Sequence, residues 1–301
     1  MGTNTRNTDW SKYVQSAELL CESRLLRFDD RFAAAWKGLF AISEAAEPKL
    51  LELGCGPGAL ASKLYDWYPN IAVTGIDRDS NFIEYADQRF NQAGRHITFV
   101  EGDATDTGFP ADSYDIVMSN TVSEHIETGA YFREQRRILK PGGSCIVIST
   151  RKTLKSPEPE YDAYESDFWR RFDQIEQVEK SESVEVCRYP LSEFELPAAM
   201  ESYGFCDITT GYVALDLTPD DPKYSPEFAK RIINSGLICE TESVETLRNS
   251  YPGRFSDAEI RELVGHIEQR YKSRLNKYER GEKLWDTTIL IIMVVRGTKP
   301  E

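Results

Sequence analysis

The sequence has no long apolar run, and its first residues carry no apolar core. The longest uninterrupted apolar segment, ILIIMVV at 289–295, is seven residues long, whereas a membrane-spanning helix needs about 20. The N-terminal stretch MGTNTRNTDW is polar and therefore does not resemble a signal peptide. These two absences predict a cytoplasmic protein that does not associate with membranes.

Closely spaced cysteines and an excess of basic residues are also missing. The six cysteines are scattered, with no C-x-x-C pair, so reduced thiols are expected. Thirty-six basic and 50 acidic residues give a net charge of −14, which argues against nucleic acid as a partner because phosphate backbones attract positive surfaces. No His, Cys and carboxylate cluster has the spacing of a metal site, so no metal is expected.

The pattern in the middle of the chain predicts a parallel sheet. At about 150 residues per domain, the 301 residues suggest two domains. From residue 49, however, short apolar strands alternate regularly with helical stretches; the strands are KLLELG, IAVTGID, ITFVEGD, YDIVMSN and SCIVIST. Such alternation predicts a doubly wound α/β fold with both faces of the sheet covered. Before it, apolar residues recur at helical spacing from 9 to about 45.

The regularity ends after residue 150. Segment 155–186 has ten acidic and four basic residues, and its aromatic residues fall at helical spacing, which predicts an amphipathic helix. A helix over 192–203 and the strand DITTGYVALDL follow. A proline-rich, irregular segment then precedes a helix that Ser256 and Glu259 cap, with Gly281 placed to end it. The last strand is TTILIIMVVRG.

The most informative motif is LLELGCGPG at 50–58, a strand that runs into a glycine-rich turn and opens a helix. Gly54, Gly56 and Gly58 let the backbone approach a ligand closely, and the helix N-terminus supplies N–H donors. Gly54, Gly56 and Ala59 also satisfy a permissive dinucleotide fingerprint, so NAD is an alternative ligand at this point. A simple tight turn without a ligand is the other alternative.

Three further motifs bear on whether the ligand is NAD or another cofactor that contains adenosine, and the last two argue against NAD. Asp77, in GIDRD, ends the second strand, where a carboxylate can hold ribose hydroxyls in either cofactor. Asp103, in VEGDAT, ends the third strand, in a position to accept from an adenine amino group. RILKPGG at 137–143 predicts a turn immediately before the fifth strand. Dinucleotide-binding folds do not call for the last two features.

Taken in order, ELGCGPG, GIDRD, EGDAT, FPADSYDIVMSN and LKPGG resemble the class I methyltransferases that use S-adenosylmethionine (SAM). The resemblance covers 49–150 and is nearest to the small-molecule group that includes ubiquinone-pathway enzymes. It implies a Rossmann-like sheet of seven strands, with an antiparallel last strand between the fifth and sixth. The roughly seventy residues between DITTGYVALDL and TTILIIMVVRG are not part of the family pattern.

The resemblance also implies roles for individual residues. The glycines and Cys55 would line the methionine part of SAM, with Glu52 near its ammonium group. The other implied cofactor contacts are Asp77 at the ribose, Arg78, Asp103 and Ala104 at the adenine, and Asn120 and Thr121 beside the sulfonium. Two alternatives remain open: backbone N–H groups could satisfy Glu52, and Asp77 could cap the next helix.

Glu124 and His125, in SEHI just past the fourth strand, are candidate bases for a nucleophile that must lose a proton. The alternative for His125 is a packing role. SNTVSEH stands where relatives that methylate exocyclic base nitrogens or glutamine side chains carry N/D-P-P-Y/F, so those substrates are not expected. The missing metal cluster likewise gives no support to a metal-assisted mechanism.

We expect a single sheet with one core, and we expect every segment added to the sheet to pack on that core. The added segments are expected to form a lid over a small-molecule pocket, with the candidate lining residues Tyr13, Tyr161, Tyr164, Phe168 and Trp169. Alternatively, these aromatics only pack helices. The acidic segment favours a cationic or amine substrate. The predicted segments are a helical cap (1–48), the SAM-binding core (49–150), an acidic aromatic lid (151–191), a core continuation (192–217), a helical insertion (218–284) and a last strand with tail (285–301).

The sequence thus predicts a SAM-dependent methyltransferase that transfers a methyl group to a small-molecule oxygen, nitrogen or carbon nucleophile. S-Adenosylhomocysteine (SAH) would be the product. A SAM-binding protein that acts as a regulator or partner without catalysis is the alternative. The acceptor, the pathway and the oligomeric state do not follow from the sequence.

Overall fold

The structure, a computed structural model, describes residues 10–43, 47–92, 94–157, 159–178 and 187–301. The chain divides into two compact units. The first, here called the sheet unit, comprises Leu20–Thr153, Glu185–Leu215 and Leu290–Glu301. The second, called the helical unit, comprises Met1–Leu19, Leu154–Val184 and Asp216–Ile289.

The seven strands form one sheet in the order β3-β2-β1-β4-β5-β7-β6. β1 pairs in parallel with β2 and β4, and the last strand is antiparallel. The predicted class of fold, a doubly wound Rossmann-like sheet, is therefore confirmed. The strands are β1 Lys49–Leu53, β2 Ala72–Asp77, β3 Ile97–Glu101, β4 Tyr114–Asn120, β5 Leu139–Ser156, β6 Cys206–Leu217 and β7 Thr287–Thr298.

Ten α-helices and a short 3₁₀ helix, Asp30–Phe32, lie in the described parts of the chain. None of these helices is both long and apolar enough to cross a membrane. The α-helices are α1 Trp10–Tyr13, α2 Ala17–Arg27, α3 Ala33–Phe40, α4 Ala59–Trp67, α5 Ser80–Phe90, α6 Thr128–Ile138, α7 Ala163–Val178, α8 Glu195–Ser202, α9 Pro226–Ser250 and α10 Asp257–Glu279.

The sheet unit has a hydrophobic cluster on each face of its sheet. On one face, Leu50, Met118 and Ile148 share a cluster with Cys21 of α2, Phe28 just after α2 and Trp36 of α3, so the helices before the sheet cover this side. The Trp36 indole lies between Phe28 and Phe40, at ring-centroid distances of 4.8 and 5.6 Å. The alternate strand residues, among them Leu51, Val117 and Val147, pack on the other face.

β5 begins earlier than predicted, because the LKPGG segment lies within the strand. Gly142 has a φ of +74°, and the pairing of β4 with β5 shifts register between Tyr114 and Ile116. The N–H of Gly142 also donates to the carbonyl of Lys299 at 2.8 Å. The glycine therefore bends the start of the strand while its backbone hydrogen bonding continues, and the expected separate turn is wrong.

α9 occupies part of the region that the prolines predict to be irregular. Pro226 is its first residue, and the Ser225 hydroxyl accepts from the backbone N–H of Phe228. Proline is tolerated at this position because the first N–H of a helix has no partner within the helix. Ser225 and Pro226 thus begin a helix in a segment that we predict to be irregular.

The helical unit has a hydrophobic cluster of its own. Its fully or nearly fully buried members come from α7, α9 and α10 and the turn between the last two: Phe168, Val244, Leu247, Tyr251, Phe255, Ile260, Leu263 and Ile267. The predicted helices around Phe168 and after Ser256 are present. The predicted segment boundaries and the lid stay predictions.

Ser256 caps α10 as predicted, and its replacement gives a test of stability. The Ser256 hydroxyl accepts from the N–H of Glu259, whose carboxylate accepts in return from Ser256. We expect Ser256→Ala to lower the free energy of unfolding by about 1 kcal/mol, measured by urea denaturation monitored by circular dichroism. Ser243→Ala, at an exposed position within α9, is the control and should cost nothing. An unchanged stability for Ser256→Ala would contradict the capping role.

Candidate functional site

The carboxyl ends of β1, β2 and β4 bring the predicted site residues to one edge of the sheet. Leu53 pairs with Ile76 on one side and Ser119 on the other. The glycine turn, Asp77 and Asn120 follow at the ends of these three strands. The chain reverses its strand order between β1 and β4, and ligands of open α/β sheets bind at such a switch point.

Packing explains why two positions of the turn require glycine. Gly54 has a φ of +62°, and a Cβ there would lie 2.5 Å from Cγ2 of Val122. At Gly58, with a φ of +79°, a Cβ would lie 2.7 Å from Cζ of Phe99. A side chain at either position would therefore displace its neighbours, and the turn requires glycine whether or not a ligand is bound.

Asp77 holds the turn in place. Its Oδ2 accepts from the N–H of Gly56 at 2.8 Å, and its Oδ1 accepts from the N–H of Asp79 at 3.0 Å. Burial raises the pKa of Asp77, although the two backbone hydrogen bonds oppose the shift. The alternative role as a helix cap falls instead to Asp79, which accepts from the N–H of Asn81.

Glu52 is buried behind the turn and incompletely satisfied. It is 2% exposed, and its Oε2 has no hydrogen-bond partner among the described residues. Burial raises the pKa of Glu52 well above its usual value, while the backbone N–H of Ala61 and the charge of Arg24 partly oppose this and Asp77 adds to it. A backbone donor therefore reaches the carboxylate, yet one oxygen has no partner, and the predicted contact of Glu52 with the ammonium group of SAM stays a prediction.

The remaining predicted cofactor residues differ in exposure. Asp103 is exposed, and its Oδ1 accepts from the N–H and hydroxyl of Thr105, both at 2.7 Å. Arg78 and Ala104 are half-buried. Cys55 is buried, and burial raises the pKa of its thiol, so it is a neutral packing group. These positions follow β1, β2 and β3 at the same edge of the sheet.

Thr121 is positioned by Arg24, a residue that the sequence analysis did not predict to be part of the site. Thr121 has a φ of +53°, and its hydroxyl accepts from Nη2 of Arg24, on α2, at 2.9 Å. Asn120 is 8% exposed, and its Oδ1 has no partner among the described residues. Arg24 and Arg27 are the charged residues that interrupt the apolar stripe of α2, a signal that the sequence does contain.

The hydrogen bonding of His125 bears on its predicted role as a base. Its Nδ1 accepts from the backbone N–H of Cys187 at 3.0 Å. Burial lowers the pKa of His125, as do Arg78 and Arg24, against the effect of Glu124. A neutral imidazole with an accepting Nδ1 carries its proton on Nε2. In this arrangement His125 offers a hydrogen-bond donor, which leaves Glu124, half-buried beside it, as the better proton acceptor.

Most candidate pocket-lining aromatics make contacts within the helical unit. Phe168 is fully buried in the cluster of that unit, and Trp169 packs edge-on against it at 5.6 Å. Tyr164 stacks on His266 at 4.7 Å, and Tyr161 lies under the guanidinium of Arg270. These contacts favour the packing alternative. The side chain of Tyr13, at the end of α1, lies outside those described.

No group of three or more His, Cys, Asp or Glu side chains that could hold a metal ion occurs in the described ranges. The polar groups at the sheet edge are instead single carboxylates, an amide, hydroxyls and arginines. Such an arrangement suits an organic ligand that carries both charge signs and hydroxyl groups.

Comparison with known proteins identifies the central segment. Residues 50–143 match a family model described as a methyltransferase domain. A fatty-acid O-methyltransferase of Mycolicibacterium smegmatis is 36% identical over 112 residues, which are 36% of this chain and 40% of that protein. A ubiquinone/menaquinone biosynthesis C-methyltransferase of Desulfotalea psychrophila is 30% identical over 121 residues, 39% of this chain and 48% of that protein. The chain thus matches less than half the length of these relatives.

A solved structure of Haemonchus contortus phosphoethanolamine N-methyltransferase 2 shares the fold. Its TM-score is 0.53 at 18% identity, over 100% of this chain and 61% of the other. This similarity shows the shared fold, in agreement with the strand order. The methyltransferase resemblance predicted for 49–150 is supported by the match of residues 50–143 to the methyltransferase domain model.

The raised pKa of Glu52 predicts a pH-dependent stability of the ligand-free protein. Because the folded chain binds this proton more tightly than the unfolded chain, the contribution to stability is full below about pH 4.5, the ordinary pKa. It is lost as the pH rises through the folded-state pKa. Glu52→Gln does not titrate, so its melting temperature relative to wild type should rise as the pH increases above about 4.5.

Thermal unfolding across this pH range measures the effect. Glu84→Gln, at an exposed position on α5, is the control and should follow the wild type at every pH. A constant difference between Glu52→Gln and wild type would contradict the burial of an ionisable Glu52.

Proposed function

We propose that the protein is a SAM-dependent methyltransferase that acts on a small molecule. The observation that carries the proposal is the open Oε2 of Glu52, buried behind the glycine turn. A buried carboxylate oxygen without a partner is costly, and the ammonium group of SAM would satisfy it. The adjoining carboxylate of Asp77, at the end of β2, suits the ribose hydroxyls. The residues present therefore fit this cofactor.

The relatives support the reaction class without selecting the acceptor atom. Their names describe methyl transfer to oxygen, carbon and nitrogen: a fatty-acid O-methyltransferase, a ubiquinone/menaquinone C-methyltransferase and a phosphoethanolamine N-methyltransferase. The Haemonchus structure is a complex with SAH and phosphomonomethylethanolamine. We therefore propose an oxygen, nitrogen or carbon nucleophile on a small molecule as the acceptor.

Each side chain of the sheet edge has a distinct task in this proposal. SAM, when bound, supplies an electrophilic methyl group on its sulfonium. Glu52 holds the ammonium group and Asp77 the ribose, while Arg78, Asp103 and Ala104 adjoin the adenine. Gly54, Gly56 and Gly58 allow the backbone to approach the methionine part. Asn120 and Thr121 then adjoin the sulfonium, with Thr121 held by Arg24.

At the acceptor side, the protein orients the nucleophile in line with the methyl group, the main requirement of a direct displacement. We propose Glu124 as the proton acceptor for a nucleophile that must lose a proton. Its Oε2 accepts from the hydroxyl of Ser123 at 3.2 Å, which fixes the carboxylate without neutralising it. His125, with Nδ1 engaged by Cys187, would donate a hydrogen bond from Nε2.

Binding of SAH, measured by isothermal titration calorimetry, tests the cofactor assignment. We expect the wild type to bind SAH and not NAD. Glu52→Gln should weaken SAH binding at least about tenfold, because it removes a charged partner of the ammonium group. Asp77→Ala should abolish binding, because it removes the ribose contact and releases the glycine turn.

Glu84→Gln and Asp66→Ala, both at exposed positions, are the matched controls and should bind SAH like the wild type. Binding of NAD in place of SAH would overturn the proposal. SAH binding without turnover of any acceptor in a panel of small oxygen, nitrogen and carbon nucleophiles would favour the non-catalytic alternative.

The role of Glu124 is tested by kinetics once an acceptor is known from that panel. Glu124→Gln should lower kcat about 100-fold, the usual range for a general base. SAH affinity should stay within about twofold of the wild type. His125→Gln should lower kcat by less than about tenfold. A Glu124→Gln variant with wild-type kcat would show that Glu124 is not the base.

A further inference from the structure

Three polar side chains at the carboxyl edge share one face of the sheet, and a fourth polar group lies on the helix that covers this face. Leu50, Met118 and Ile148 point to the face that α2 and α3 cover. Side chains two residues apart on a strand point the same way. Glu52 on β1, Asn120 on β4 and Thr150 on β5 therefore face α2, the helix that carries Arg27.

These groups all retain unused hydrogen-bonding capacity. Oε2 of Glu52, Oδ1 of Asn120, Oγ1 of Thr150, and both Nε and Nη1 of Arg27 are buried, and none has a hydrogen-bond partner among the described residues. Buried polar atoms are nearly always paired in folded proteins. A row of such atoms on one face of a sheet therefore points to a ligand that supplies the partners.

Arg27 is the strongest of these signals. It is 8% exposed, and its guanidinium cannot lose its charge as a lysine can. Burial and the nearby positive charge of Arg24 lower the pKa of Arg27, whereas Glu124 opposes the shift. Glu124 is thus a charge neighbour, but it gives no hydrogen bond to Nε or Nη1. The Nε–H and the Nη1 hydrogens point from different edges of the guanidinium, so each is a separate unused donor for an oxygen of a carboxylate or phosphate.

The row of unpartnered groups has two ends, one at Glu52 on β1 and the other at Thr150 on β5. β1 and β5 flank β4, so at about 4.8 Å per strand Thr150 lies about 10 Å across the sheet from the column of Glu52. Arg24 is the electrostatic neighbour of Glu52, and Arg27 lies three residues further along the same helix. The carboxylate of Glu52 suits a cation, and the guanidinium of Arg27 suits a negative group of another molecule.

We propose that Arg27, with the Thr150 hydroxyl, binds an anionic group, carboxylate or phosphate, of the methyl acceptor. This inference rests on the proposed function. It predicts that the acceptor is negatively charged at one end, contrary to the amine preference that the acidic segment 155–186 suggests. Arg27 is a substrate-binding residue here, not a base.

Calorimetry on the SAH-loaded protein tests the inference with simple probes: octanoate, inorganic phosphate and, as a neutral isostere, octanamide. We expect one of the two anions to bind and octanamide to bind at least about tenfold more weakly. Octanoate alone indicates a carboxylate acceptor, and phosphate alone a phosphate-bearing one. Arg27→Met should weaken anion binding at least about tenfold, Arg27→Lys less, and Thr150→Val severalfold. SAH binding should be unchanged in all three variants.

Arg133→Met, which removes a 67% exposed guanidinium, is the matched control and should bind anions like the wild type. If Arg27→Met does not fold, Thr150→Val and Arg27→Lys carry the same test. No SAH binding by the wild type would contradict the proposed function itself. SAH binding without anion binding, equal binding of octanamide, or a loss of SAH affinity in Arg27→Lys as large as its loss of anion affinity would overturn this inference alone.

Discussion

The arrangement of the site depends on the carboxylate of Asp77. Its two oxygens join the turn after β1, through Gly56, to the start of α5, through Asp79. Gly56 adopts a φ of +52°, which presents its N–H to the carboxylate and which few other residues adopt without strain. One side chain thus fixes the shape of the glycine turn before any ligand binds, so a ligand meets a preformed edge.

Several other polar groups near that edge reduce the stability of the fold. Glu52, Asn120, Thr150 and Arg27 each contribute at least one buried polar atom without a partner, and each such atom lowers the stability of the fold by about 1–3 kcal/mol. The apolar clusters on both faces of the sheet offset this cost. A residue retained at such a cost in the middle of a close-packed face is better explained by ligand binding than by packing.

The sequence predicted the central part of the fold well because its signals are local. Apolar strands, the glycine turn and an acid at the end of β2 all lie within short segments, and parallel connections bring their ends to one edge. The start of β5 and the existence of α9 were not predicted, because glycine and proline suit both a break and a bent strand or a helix start. Arg27 was not predicted as a site residue, because the hydrogen bonding of its guanidinium depends on tertiary contacts that a sequence pattern does not show.

The two opposing indications of substrate charge differ in physical weight. In the acidic segment, Asp162 pairs with His266, Glu165 with Arg270 and Asp167 with Arg170. These carboxylates already have partners within the helical unit, and two of those partners are arginines that offset the negative charge locally. Arg27, by contrast, is buried with two nitrogens unused. A net charge of −14 therefore does not describe the site, because specificity follows from the groups that a ligand alone can satisfy.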